Sequence, residues 1–358
     1  MSLSPQAVIE RLQTFLSRET RSRVKVEGYR SLAGGASRAA IALDVTMEDG
    51  PRSGLHPVVV RLDMGGKIYE VTLSREEEFR VLAHAAKGGV PVPEPLWASS
   101  DPGVLERDFL ILSRVEGETI GRRIVQLPEL AEARRLLPRQ MGKALAQVHA
   151  LDPAPLEFLP HPDALGPDSA LEAPAQSVLA RARAEMEKIG GAHPGLEAGL
   201  KWFEASAPDC PETVLVHGDF RLGNMVVGPE GLRAVLDWEF ASVGDPHEDL
   251  AWPFVRDWRF GMDAFRFGGI SDGSDFLKAY EAESGRRVDP RRLSYWEALG
   301  NFRWALGCLT QAHRHLSGVE PSVELASLGR KSAEMELEML DLISKMTLEA
   351  HARSPRPR

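Results

Sequence analysis

Three oxygen-bearing side chains recur at fixed spacing in one part of the chain: Asp219, Asn224 five residues on, and Asp237 thirteen residues later. The first two lie in LVHGDFRLGNMVV, Leu215–Val227, where an apolar run stops at His217, Gly218 and Asp219 and resumes after Asn224. Gly, Asp and Asn all favour turns, so a plain polar loop is the simplest reading. A second apolar run, LRAVLDWEF, ends at Asp237, and a hairpin through GPEG at Gly228–Gly231 returns Asp237 close to Asn224. One carboxylate, with an amide oxygen and a second carboxylate side by side, suits phosphoryl transfer from a magnesium nucleotide. Magnesium prefers oxygen ligands and often takes only one or two from protein. The reaction needs positioning and charge neutralisation more than covalent chemistry, and a base for the acceptor hydroxyl adds about 10²–10⁴-fold.

The elements that must position these residues differ along the chain. Residues 5–18 place Val8, Ile9, Leu12, Phe15 and Leu16 on one helical face. VEGYRSLAGGASRAAIALDVTM reads as strands around a Gly-Gly turn, and HPVVVRLDM as a further strand. SREEEFRVLAHAAKGG is a helix, with Ser74 as N-cap, Glu77 three residues on, and Gly88-Gly89 at its end. VPVPEPLWAS is extended, and RDFLILSRVEG is a strand that runs out at Gly117. Up to residue 113 this predicts a small, mostly antiparallel unit of about five strands. After Gly117 the pattern is helical: Pro138 predicts a kinked or divided helix, and 152–175 is a proline-rich irregular loop. In AEMELEMLDLISKM, Leu337, Leu340, Ile343 and Met346 fall on one face.

Composition narrows the class. The chain has 358 residues, 43% hydrophobic and 27% charged, which fits a soluble globular protein of two lobes. Its two cysteines, Cys210 and Cys308, form no CxxC pairing, and Glu10 and Arg11 interrupt the start where a signal peptide needs apolar residues. No run approaches the roughly 18 apolar residues of a membrane span. A cytoplasmic protein with no membrane partner is expected. The net charge is −9, of which −1 arises through Ser113 and −8 beyond it. That balance argues against nucleic acid. The acidic second half suits either a cationic substrate or a solvated surface.

HGDFRLGN, followed by LDWE and GDPHEDLAW, resembles the aminoglycoside phosphotransferase family, which has the protein-kinase-like fold. The resemblance covers nearly the whole chain. It is closest to the kinase-like domains related to those fused to acyl-CoA dehydrogenases. It implies an α+β, two-lobed fold: a small antiparallel β-sheet N-lobe over 1–113 that binds nucleotide, and a larger, mainly helical C-lobe over 114–358 that carries catalysis and the acceptor. By this resemblance Asp219 is the catalytic base, Asn224 and Asp237 hold Mg2+, His217 braces the loop, and Asp249 anchors it through backbone amides. Gly34, Gly35 and Ser37 in LAGGASRAA would let backbone amides and a hydroxyl approach phosphate. Arg61 stands where the family carries a phosphate-holding lysine; arginine can make a bidentate fork to phosphate. Its partner is one of Glu76, Glu77 and Glu78, and the register of EFRVL points to Glu78. In FLILSRVEG, Ser113 and Val115 would meet the adenine edge with Leu112 behind it.

The resemblance therefore implies a phosphotransferase that moves the γ-phosphoryl of ATP, or GTP, to a hydroxyl of a small molecule. Hydroxyacyl thioester, amino alcohol, sugar and aminoglycoside are the acceptor classes, the first being favoured. Arg303 and Arg314, in a helix read mainly as core, are available to an anionic acceptor tail. The alternative is a catalytically silent nucleotide-binding or scaffolding module on the same fold, which Arg61 and the lack of GxGxxG motivate. A protein kinase is the least favoured reading, because HRD, DFG and an activation segment ending in APE are all missing.

Overall fold

The computed structural model describes residues 3–32, 38–63, 72–161 and 174–353, and the chain divides into two compact units, Met1–Glu116 and Gly117–Arg358. Gly34, Gly35 and Ser37 lie outside the described residues.

In the first unit, α1 (Pro5–Thr20) begins with Ser4, whose hydroxyl accepts from Ala7 N, and with Pro5 at its first position. It buries Val8, Leu12, Phe15 and Leu16 on a five-stranded antiparallel sheet. The strands are β1 (Val24–Leu32), β2 (Arg38–Met47), β3 (Gly54–Asp63), β4 (Pro95–Ser99) and β5 (Phe109–Ser113), in the order β1-β2-β3-β5-β4. Successive side chains on a strand point to opposite faces. Val58, Val60 and Leu62 of β3 and Ile111 of β5 join the α1 side of the core. Arg61 consequently takes the other face, opposite Leu110 in the register, with Val59 opposite Leu112. On that face α2 (Arg75–Lys87) packs against β4 and β5. Its N-terminus is a complete capping box, Ser74 with Glu77. A short α3 (Pro102–Leu105) precedes β5.

The second unit is mainly helical. It runs through α4 (Gly121–Gln126), α5 (Ala131–His149), α6 (Pro174–Ile189) and α7 (Pro194–Ser206). Two small antiparallel pairs follow: β6 (Val214–Val216) with β9 (Ser242–Gly244), and the hairpin β7 (Met225–Gly228) with β8 (Gly231–Val235). Then come α8 (Pro246–Ala251), α9 (Ser274–Ser284), the long α10 (Pro290–Leu316), α11 (Val323–Leu328) and α12 (Ser332–Arg353). Phe203 of α7, Trp296 and Phe302 of α10, and Met335 and Met339 of α12 share one core. Each such side chain, fully buried, contributes roughly 1.5–3 kcal/mol.

Two sequence expectations are corrected here. Pro138 does not divide the helix: α5 runs as one element from Ala131 to His149 with Pro138 buried inside. One missing backbone hydrogen bond is outweighed by the packing of α5 along α9, where Gly142 lies so close that a Cβ would meet Phe276 O at 2.3 Å. The buried stripe of α12 is Met335, Met339 and Leu342, whereas Leu337 is 71% exposed and Leu340 37%. The flexible Met339 thioether fills the space left by Gly199 of α7, which a Cβ would close to 2.7 Å from Sδ.

Candidate functional site

The loop between β6 and β7 is held from below by one carboxylate. Asp249, fully buried in α8, accepts from His217 N at 2.6 Å and from Gly218 N at 2.9 Å. Gly218 has φ 81°, and a Cβ there would sit 2.4 Å from Phe240 O, so glycine is required between the histidine and the aspartate. The His217 ring is fixed at both nitrogens. Nε2 donates to the Leu236 carbonyl at 2.9 Å, because a carbonyl only accepts, and Nδ1 accepts from Asp219 N at 3.2 Å. His217 is therefore the neutral Nε2–H tautomer, bracing the loop against the end of β8.

This arrangement fixes the Asp219 carboxylate. Oδ2 accepts from Asn224 Nδ2 at 2.6 Å, and Oδ1 accepts from Trp252 Nε1 at 2.6 Å and Arg221 Nε at 2.9 Å. Asn224 Nδ2 also donates to Asp219 O at 2.9 Å. With its nitrogen committed to Asp219, the Asn224 amide has Oδ1 left as the atom that could ligate a cation. Asp237 follows β8 at the point where Leu236 N donates to Asn224 O at 2.8 Å, which places the two residues beside each other in the hairpin. Asp237 adopts φ 64°, a conformation aspartate tolerates better than most residues. Among the described residues no group of three or more His, Cys, Asp or Glu is placed to hold a metal. An amide oxygen with one carboxylate fits magnesium, which keeps waters and phosphate oxygens as its remaining ligands.

Behind the loop runs a chain that the sequence motifs do not reveal. His149, at the end of α5, donates from Nε2 to Asp249 Oδ2 at 3.3 Å, and its Nδ1 accepts from Tyr280 OH of α9 at 2.8 Å. Burial holds His149 below its usual range and therefore neutral, although Asp249 opposes this. Burial alone would raise Asp249, but the His149 hydrogen bond and the His217 amide outweigh it and keep the carboxyl low. Trp252, which closes the GDPHEDLAW motif and is given no role by the sequence reading, reaches Asp219 from the residue after α8. Arg303 lies over the Trp252 ring, 5.2 Å from its centroid, and pairs with Glu248 of α8. Arg314 pairs with Glu320.

The start of α8 is pinned by a second carboxylate. Asp245 accepts from His247 N at 2.8 Å, His247 Nδ1 at 3.1 Å, Trp296 Nε1 at 2.9 Å and Arg292 at 2.7 Å. Burial pushes its carboxyl up, but His247 and Arg292 outweigh that and hold it at about 2, against 3.8 ordinarily. A depressed folded value contributes stability above pH 3.8 that is lost as pH falls towards 2, here about 2 kcal/mol. Asp245→Asn is therefore expected to lower stability at pH 7 by about 2–4 kcal/mol. The gap from wild type should narrow by about 2 kcal/mol near pH 2.5. Urea unfolding at the two pH values measures this, and an equal gap at both would contradict it.

In the first unit the three adjacent glutamates have separate partners. Glu76 accepts from Ser100 Oγ at 2.8 Å, Glu77 completes the cap of α2, and Glu78, fully buried, accepts from Arg61 Nη1 at 2.6 Å and Arg75 Nη1 at 2.5 Å. Arg61 and Glu78 are thus brought together, with Arg75 as a second buried cation. Leu112 is buried on the same face of the sheet. Ser113 N donates to Glu94 O at 2.9 Å, and its hydroxyl accepts from Glu94 N at 2.8 Å. Val115 is half-buried beyond the end of β5.

A sheet unit whose buried arginine meets a helix glutamate, and a helical unit bearing an HxD loop beside a short hairpin, are the parts of a kinase-like fold. Residues 30–296 match the phosphotransferase enzyme family, and the chain belongs to that family. Its fold is similar to that of a putative aminoglycoside phosphotransferase from Ralstonia eutropha, with TM-score 0.67 and 23% identity over 94% of this chain and 98% of that one. It is also similar to spectinomycin phosphotransferase solved with ADP and spectinomycin, with TM-score 0.57 and 14% identity over 95% and 99% of the two chains. Acyl-CoA dehydrogenase family member 10 of Mus musculus is 30% identical over 80% of this chain. Family member 11 of Gallus gallus is 28% identical over 75%. The chain spans only 27% and 36% of those two relatives' lengths. The fold is α+β and kinase-like, as the sequence resemblance implies. Among the described residues no helix is long and apolar enough to cross a membrane.

Proposed function

We propose that the protein is a cytoplasmic, magnesium-dependent phosphotransferase that moves the γ-phosphoryl of ATP, or GTP, to a hydroxyl of a small molecule. The observation that carries this reading is the Asp219 carboxylate, held by Trp252, Arg221 and Asn224 beside a hairpin that ends in Asp237. Asp219 orients the acceptor hydroxyl and takes its proton as the oxygen attacks the γ-phosphorus in line. Arg61, its guanidinium fixed by Glu78, holds the nucleotide phosphates. Leu112, Ser113 and Val115 border the base, and Gly34, Gly35 and Ser37 contribute amides and a hydroxyl to the phosphates. Asn224 and Asp237 hold Mg2+, which neutralises phosphate charge when bound. His217 and Asp249 keep the loop in place.

The similarity to acyl-CoA dehydrogenase family members favours a hydroxyacyl thioester as acceptor. The similarity to viomycin phosphotransferase keeps antibiotic acceptors in view. ADP release from magnesium-ATP against a panel of a hydroxyacyl thioester, an amino alcohol, a sugar and an aminoglycoside tests the reading. One acceptor is expected to stimulate release at least about tenfold and to carry the phosphate afterwards. ATP binding without stimulation by any acceptor class, and without phosphate transfer, would favour the silent module that arginine at position 61 suggests.

A further inference from the structure

The aromatic faces beside Asp219 already carry positive charge. Trp252 Nε1 donates to Asp219 Oδ1, and the guanidinium of Arg303 lies 5.2 Å from the centroid of the same indole. The guanidinium of Arg221 lies 4.3 Å over the ring of Trp258, which packs 5.7 Å from Trp252. An ammonium group is gripped by open indole faces and by carboxylates. Here guanidinium groups cover those faces, and the neighbouring carboxylates are committed. Glu248 is bonded to Arg303, Asp257 accepts from Lys331 and from Trp304, each at 2.7 Å, and Glu185 accepts from Thr310 at 2.9 Å. A further cation lies close by on α6. Val178, Leu179 and Ala182 of that helix join the core that holds Trp252 and Phe302, and Arg181 between them is exposed. Its Nη1 donates to Ser177 Oγ at 2.7 Å, and among the described residues it has no ion pair. The protein around Arg181 lowers its guanidinium below the ordinary value; Glu248 opposes this and Arg303 adds to it. Two guanidinium groups, from α6 and α10, thus share the one carboxylate of Glu248.

We propose that the acceptor carries an anionic group, a carboxylate or a phosphate, which Arg181 and Arg303 bind while its hydroxyl meets Asp219. The proposal rests on the phosphotransferase reading above. Guanidinium suits both anions, because its planar fork of donors matches their oxygens. Trp252 sets the spacing: its N–H holds Asp219 and its face carries Arg303, so hydroxyl and anion sit about one indole apart. The hydroxyl oxygen bonds to the γ-phosphorus as the bond from that phosphorus to the β,γ-bridging oxygen breaks. ADP leaves with the bridging oxygen, and the hydroxyl proton passes to Asp219. Amino alcohols and aminoglycosides have the wrong charge for this site.

Probes of one length and different charge test this: δ-hydroxyvalerate, pentanediol monophosphate, δ-hydroxyvaleramide and aminopentanol. Each is titrated into the protein with tryptophan fluorescence as the readout, because Trp252, Trp258 and Trp304 adjoin the site. The carboxylate and the phosphate are expected to bind at least about tenfold more tightly than the amide, and aminopentanol more weakly than the amide. The tighter of the two anions identifies the group the site takes. Arg181→Gln, which breaks no ion pair, should weaken both anions at least about tenfold and leave the amide within about twofold. Arg303→Lys keeps a charge beside Glu248 but loses the fork, and should weaken the anions in the same direction. With magnesium-ATP, the anionic probes should be phosphorylated in preference to the amide and aminopentanol. Amide or aminopentanol binding as tightly as the anions, no saturable binding of either anion at millimolar concentration, or anion affinity unmoved by Arg181→Gln would each overturn the anionic site. Arginine-dependent binding of the anions by a protein that fails to bind magnesium-ATP would instead overturn the phosphotransferase reading and leave the anion site standing.

Discussion

Asp219→Asn is expected to lower kcat for phosphoryl transfer by about 10²–10⁴-fold while magnesium-dependent ATP binding stays within about threefold of wild type. Asparagine keeps the size and planarity of the side chain, so Trp252 and Asn224 retain a neighbour of the same shape. The variant cannot take a proton from an acceptor hydroxyl. It also presents two N–H groups where three donors, from Trp252, Arg221 and Asn224, now converge. The proposed nucleotide ligands, Asn224, Asp237 and Arg61, are untouched. ADP formation with a stimulating acceptor, set beside calorimetric ATP binding, separates the two effects. Transfer at the wild-type rate would remove Asp219 from the chemistry.

Asp249→Ala carries the second large effect, on the scaffold. One carboxylate satisfies His217 N, Gly218 N and His149 Nε2, all in a buried setting. Its loss leaves three donors without an acceptor, at a cost of about 3–5 kcal/mol. The loop that carries Asp219 also loses its anchor. Urea unfolding should shift by that amount, and transfer activity should fall even at temperatures where the variant stays folded. His149→Ala removes one of the three donors but also leaves Tyr280 OH without its acceptor and opens a buried cavity, so it should itself cost about 2–4 kcal/mol. Equal stability of Asp249→Ala and wild type would show that the loop is held by other means.

The parts of the fold that depend on local rules were legible in the sequence. Ser74 and Glu77 cap α2, alternation puts Arg61 on the opposite face from Val60 and Leu62, and the Gly228–Gly231 turn folds β7 onto β8. Asp219, Asn224 and Asp237 could be named because loop and hairpin bring them together over a short span. Of the supports, His217 and Asp249 follow from the resemblance, and the more distant ones could not be named. His149 and Tyr280 are 131 residues apart and meet because α5 packs on α9, while Trp252 reaches Asp219 across 33 residues. The cap points to Glu77 and the register to Glu78, but the bond of Glu76 to Ser100 and the second arginine on Glu78, Arg75, were not legible. Leu337 and Leu340 of α12 mislead for a similar reason, whereas Ile343 and Met346 pack against the core. The partner helix chooses the buried face, and Gly199 makes room for Met339.

The most direct test of the central claim is calorimetric titration of ATP into the wild-type protein and Asp237→Ala, each with and without magnesium, which needs no knowledge of the acceptor. The account predicts binding by wild type that strengthens at least about tenfold with magnesium, and no such gain in Asp237→Ala. Wild-type binding that is indifferent to magnesium, or absent for both ATP and GTP, would contradict it.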